Sequence, residues 1–166
     1  MLKEKCHVWI ITGYTGVGKT TLVDLLVKKT NVEVLAFGSV ARQYCQKKGY
    51  TGVRNYFDSV SETQFVNNIN KALMEKIDGL VNNFPLFIIE GLPSIVILND
   101  LRKRDNVFTT VIYLQVSAEI RKHRILQRAK FIVKDAEWEE FSKNRFKQVL
   151  GLEEILASAD YIIDAE

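Results

Sequence analysis

Two cysteines, two prolines and two histidines are all that 166 residues hold of those types, and each scarcity removes a class of answer. Cys6 and Cys45 could form one bridge at most, in a chain with no secretory feature, so free thiols in a reducing cytoplasm are expected. The two prolines and nine glycines are too few for a low-complexity or disordered segment. His7 and His123 have no second histidine or cysteine nearby at metal-ligand spacing, which argues against a zinc site. No apolar run approaches the roughly 18 residues of a membrane span. The opening MLKEKCHVWIITG sets charge beside a short apolar run with no small-residue cleavage site after it, unlike a signal peptide. Against 20 Asp and Glu stand 23 Lys and Arg, a net charge of +3. That is far from the excess of a dedicated nucleic-acid binder, though it favours anionic ligands. What remains is 47% hydrophobic and 26% charged, the balance of one domain, residues 1–166, burying roughly 70% of its unfolded surface.

Apolar periodicity alternates between short β-rich runs and helical stretches. Residues 8–12 (VWIIT) read as a buried strand, and 20–29 as a helix with Leu22, Leu25 and Leu26 at helical spacing. A second strand is expected at 32–37 and a helix at 39–48, ended by Gly49. Phe65, Ile69, Leu73 and Ile77 recur along a long helix at 61–81. Further strands are expected at 86–89 and 107–116, helices at 118–128 and roughly 135–150, and a closing strand at 161–163. This alternation predicts an α/β fold of three layers, a central parallel sheet of about five strands with helices on both faces.

Between the first strand and the first helix lies Gly13-Tyr14-Thr15-Gly16-Val17-Gly18-Lys19-Thr20, which satisfies G-x-x-x-x-G-K-[ST] in the context the motif requires. Chance would produce it in well under about 1% of chains this long. Gly13, Gly16 and Gly18 permit backbone angles closed to other residues, so that successive amides turn inward on a phosphate. The helix start adds its partial positive charge. Lys19 is suited to the β- and γ-phosphates, the Thr20 hydroxyl to a place in the Mg²⁺ shell, and Thr21 to the α-phosphate. A nucleoside triphosphate with Mg²⁺ is the expected cofactor.

Three further stretches carry chemistry: Phe37-Gly38-Ser39-Val40-Ala41-Arg42, Phe87-Ile88-Ile89-Glu90-Gly91-Leu92-Pro93, and Val111-Ile112-Tyr113-Leu114 followed by Arg124 and Arg128. With the ending Ala159-Asp160-Tyr161-Ile162-Ile163-Asp164, they resemble the P-loop nucleoside monophosphate kinase family of adenylate and small cytidylate kinases over nearly the whole chain. The resemblance implies the P-loop kinase fold and transfer of the γ-phosphoryl group of ATP to a nucleoside monophosphate. It implies that Arg42 holds the acceptor's phosphate, that Glu90 holds water on Mg²⁺, and that Arg124 and Arg128 lie at the donor site. Arg145 is the remaining candidate for a lid arginine. An acceptor-binding helical region at about 38–81 and a lid at about 129–143 follow. Taken alone, Arg42 reads as well as a solvated surface arginine, Glu90 as a capping carboxylate, and the basic stripe of Arg121, Arg124 and Arg128 as a solvated helix face.

The departures matter too. Leu92 and Ser94 stand where relatives of this kind use arginine, so one phosphate-clamping cation is missing, and arginine restored there is expected to raise turnover. The lid segment holds Lys130, Lys134 and Lys143 but no arginine, and lysine cannot form a bidentate fork. Arg54 is a candidate substitute at the acceptor site. Two other readings stand beside the first: a kinase of another small acceptor such as dephosphocoenzyme A, and a nucleotide-binding regulatory or assembly protein that has lost transfer. The expected partners are a triphosphate donor and a small phosphorylated acceptor, with neither membrane nor nucleic acid.

Overall fold

A computed structural model describes residues 5–128 and 145–166. Its sheet comprises β1 (Cys6–Thr12), β2 (Glu33–Ala36), β3 (Leu86–Glu90), β4 (Val107–Gln115) and β5 (Tyr161–Asp164). All neighbouring pairs are parallel, in the order β2-β3-β1-β4-β5. β1 is the centre, with Ile10 set between Ile89 and Val111. Strands covered on both faces need apolar side chains at successive positions. The run VWIIT supplies them, and Val8, Ile10 and Ile11 are wholly buried.

Eight helices are described: α1 (Lys19–Thr30), α2 (Phe37–Lys47), α3 (Val53–Ser59), α4 (Glu62–Asn83), α5 (Ile95–Lys103), α6 (Ala118–Arg128), α7 (Arg145–Leu150) and α8 (Leu152–Ala157). On one face of the sheet, Val8, Ile10, Phe87 and Ile89 pack with α2, α4 and α5, and Phe65, Ile69, Leu73 and Ile77 form the buried stripe of α4. On the other face, Ile11, Ile88 and Leu114 pack with Val23 of α1. The three layers and five parallel strands are as expected. Cys6 and Cys45 are free and buried, and burial pushes both thiols up in pKa.

Several expectations need correction. Phe37 opens α2 rather than ending β2, because the chain turns at Ala36 and the aromatic ring is buried beneath the helix start. Leu25 is 52% exposed, while Val23 is buried and Leu22 and Leu26 pack beside it against the sheet, so the buried stripe of α1 centres on Val23 and leaves Leu25 outside. Of the helix expected at 135–150, α7 is the described part, and the lid expected at 129–143 lies outside the described residues. α8 had no clear periodic signal. Gly151 creates its start, with φ of +98° and a position where a Cβ would come within 2.5 Å of Ile95 Cγ2. Among the described residues no helix is long and apolar enough to cross a membrane.

Candidate active site

The loop leaves β1 at its carboxyl end, beside the ends of β3 and β4, where open parallel sheets bind ligands. Gly13 makes the first turn with φ of +136°, and a Cβ there would lie 2.3 Å from the Leu114 carbonyl oxygen, so no other residue fits. Gly18, at φ +102°, is the N-cap of α1 and carries no side chain to occupy the amides of the first turn. The Lys19 ammonium donates to the carbonyls of Gly13 at 2.9 Å and Tyr14 at 2.7 Å. It is therefore held over the loop.

The acid-glycine turn is fixed by backbone pairing. Glu90 ends β3 opposite Ile11, and the Gly91 amide donates to the Ile11 carbonyl at 2.7 Å. The Thr20 hydroxyl consequently meets a Glu90 carboxylate oxygen at 2.6 Å. Ser94, not Glu90, caps α5, accepting from the Ile97 amide. A hydroxyl and a carboxylate sharing one spot beside a phosphate loop form a hard-oxygen pair of the kind that suits Mg²⁺, and the residues present fit that ion.

Both residues line a cleft of about 640 Å³ together with Lys19, Gly38, Ser39 and Arg42. Val40, Ala41 and Cys45 bury one side of α2, which leaves Arg42 exposed on the other. Its guanidinium donates to the Ser39 hydroxyl at 3.3 Å, and a Cβ on Gly38 would sit 3.3 Å from Nη1. Glycine four residues before the arginine thus leaves the guanidinium room to lie over the helix start.

Residues 10–147 match the protein-family model described as an AAA domain. The chain belongs to that family. It is 28% identical over 98 residues to an adenylate kinase of Thermoplasma volcanium, a match covering 53% of this chain and 53% of that enzyme, so the chain spans about half the length of that relative. It is 26% identical over 149 residues to a cytidylate kinase of Sulfurisphaera tokodaii, covering 87% of this chain and 77% of that enzyme. Its structure is similar to a shikimate kinase from Bacteroides thetaiotaomicron, with a TM-score of 0.65, 21% identity, and coverage of 96% of this chain and 86% of that one. The fold of this AAA-family chain is that of the P-loop kinases.

Other expected residues are placed differently. Thr21 is exposed and does not line the cleft. Arg54 is paired with Asp58 at 3.8 Å and borders a separate shallow hollow with Thr51 and Gly52. The structure does not bring it to Arg42. Arg124 donates to the carbonyls of Val17 at 3.5 Å and Ala165 at 2.8 Å, tying the loop to the segment after β5. Arg128 ends α6 and Arg145 opens α7, and their side chains are outside the described part. Leu92 and Ser94 are both fully buried, and neither lines the cleft. An arginine there would enter the core, which corrects the expectation that these positions lack a phosphate clamp.

Two cations escaped sequence reasoning. Arg121, expected only as part of a basic stripe, is 9% exposed. Its Nε donates to the Thr15 carbonyl at 3.2 Å, and its guanidinium lies 4.8 Å from the centre of the Tyr14 ring. Burial lowers its pKa. Lys147 of α7 is also 9% exposed and lines the cleft, with its ammonium 3.5 Å from the Thr15 hydroxyl. Its pKa is pushed down to about 8 by burial and then by Arg121, against the opposing pull of Glu90. From α8, Glu153 accepts from the Tyr14 hydroxyl.

Proposed function

We propose that this chain transfers the γ-phosphoryl group of ATP to a small phosphorylated acceptor, a nucleoside monophosphate before others. The observation that carries this reading is that a single cleft contains Lys19 and Thr20 of the phosphate loop, Glu90 and Arg42. Donor phosphates belong on the loop amides and Lys19, and the acceptor's phosphate on Arg42, whose fork matches two anionic oxygens. Thr20 and Glu90 would hold Mg²⁺, which when bound neutralises phosphate charge. Transfer breaks the bond from the γ-phosphorus to the β–γ bridging oxygen, whose electron pair leaves with ADP, and forms a bond to an acceptor oxygen. No protein nucleophile is required, because positioning and charge neutralisation supply the rate. Arg124 acts on the donor side through the Val17 carbonyl. Arg128 and Arg145 flank the proposed lid and add positive charge there.

A second reading is favoured by one feature of Arg42: a guanidinium forks onto a carboxylate as well as onto a phosphate. Shikimate, named for the structural relative, is such an acceptor. A coupled assay of ADP release, run with AMP, CMP, UMP, GMP, dephosphocoenzyme A and shikimate, separates these. Turnover on a monophosphate supports the first reading and turnover on shikimate alone the second. Tight ATP binding with no turnover on any acceptor makes the chain a nucleotide-binding regulatory or assembly protein. Lys19→Ala serves as the control, and wild-type ATP affinity in that variant would undo the phosphate-loop assignment itself.

A further inference from the structure

Lys147 has no place in the machinery described above, and its setting is costly. An ammonium removed from water needs an anionic partner. Among the described residues it forms no ion pair, and its one hydrogen bond is the long contact to the Thr15 hydroxyl. The charged groups facing it are Arg121 of α6 and Glu90 of β3, with Lys19 and Arg42 in the shared cleft. Three of these four repel it. Thr15 belongs to the phosphate loop, so the ammonium stands beside the place where a bound phosphate would lie. Because the cleft is the one that also holds Arg42, the phosphate it meets is the one facing the acceptor, which is the terminal one.

We infer that Lys147 is a substrate-contacting residue that grips the terminal phosphate of the bound triphosphate from α7. This rests on the phosphotransferase reading and extends it. An anion arriving in the cleft provides the ionic partner that the buried ammonium lacks among the described residues, through charge-assisted hydrogen bonds. Binding then depends on the protonated lysine. Its depressed pKa, near 8, makes grip on the triphosphate weaken as pH rises through that value. The phosphate's own last proton is lost near pH 6 and does not interfere.

The test is calorimetric titration of the whole chain with MgATP and with MgADP, without acceptor, from pH 7 to 9.5, for the wild type, Lys147→Met and Lys147→Arg. For the wild type, ATP affinity should weaken on the order of tenfold across this range, following the protonated fraction of the lysine. Lys147→Met should bind ATP on the order of tenfold more weakly at pH 7, show no further weakening with pH, and keep its ADP affinity. Lys147→Arg, whose guanidinium does not titrate, should bind ATP with no dependence on pH in this window. Wild-type ATP affinity and an unchanged pH profile in a folded Lys147→Met would overturn the inference and leave the kinase reading standing. Failure of the wild type to bind ATP at any pH would overturn both. If Lys147→Met does not fold, the wild-type pH profile against that of Lys147→Arg decides, and identical profiles reject the role.

Discussion

Arg42→Ala isolates the proposed acceptor half of the cleft. Arg42 is exposed on α2 and donates a 3.3 Å hydrogen bond to the Ser39 hydroxyl, so its removal should change stability by no more than about 0.5 kcal/mol. A forked contact to an acceptor phosphate contains two charge-assisted hydrogen bonds, each worth about 1.5–3 kcal/mol. At the low end, which suits an exposed site, the pair contributes about 3 kcal/mol, or on the order of a hundredfold in kcat/KM for the acceptor. Arg42→Lys keeps the charge without the fork and should recover part of that loss. The assay is coupled ADP release at saturating MgATP with varied acceptor, beside an ATP titration and a thermal unfolding curve for each variant. ATP affinity and Tm should stay at wild-type values while the acceptor's kcat/KM falls. A variant that loses ATP affinity and keeps the acceptor would show that the two halves of the cleft have been exchanged.

Three other outcomes are expected. Glu90→Gln removes the carboxylate facing Thr20 at 2.6 Å and should raise the Mg²⁺ concentration needed for half-maximal turnover about tenfold or more, as read from a metal titration at fixed ATP; an unchanged requirement would remove Glu90 from the metal site. Leu92→Arg places a guanidinium where the side chain is wholly buried and should destabilise the fold by several kcal/mol, read as a large drop in Tm; a normal Tm with faster turnover would restore Leu92 as an absent clamp. Lys147→Met should stabilise the fold by about 3 kcal/mol at pH 7, following the displacement of its pKa from 10.5 to about 8. A depressed lysine pKa means that the unfolded chain binds more protons between pH 8 and 10.5, so the wild type gains on the variant as pH rises through that window. Parallel unfolding curves measured from pH 7 to 10.5 would refute the burial argument.

What the sequence disclosed follows the range of the forces involved. The glycines of the loop and the four-residue apolar steps along α4 are local patterns, and they appear as expected. The Thr20–Glu90 pair spans 70 residues, yet it was legible because each partner belongs to a local motif at a strand end. Arg121 and Lys147 reach Thr15 across 106 and 132 residues and belong to no such motif. Nothing in a basic helix says which of its cations will be buried. Leu25 shows the same limit at shorter range: spacing defines an apolar stripe, but the sheet beneath selects Val23 for burial. Leu92 shows it in a motif, where position along the chain suggested a clamp and packing in the core decided otherwise.

The basic face of α6 acquires a different meaning once its contacts are known. A peptide unit is planar and trans, so a carbonyl and the amide that follows it point in opposite directions. Arg121 takes the Thr15 carbonyl and Arg124 the Val17 carbonyl. Within those peptide units the amide of Gly16 or Gly18 lies opposite the bonded carbonyl, and Gly16 and Gly18 are among the residues lining the cleft. On the proposed function, the two arginines act on a bound phosphate through the backbone, by holding the loop amides in place before it arrives. Preorganised donors of this kind need no rearrangement during the reaction, which is where such electrostatic stabilisation gains its advantage over water. Lysine at either position would keep the charge but bring one compact, strongly hydrated head in place of a guanidinium able to reach two carbonyls at once, as Arg124 does with Val17 and Ala165.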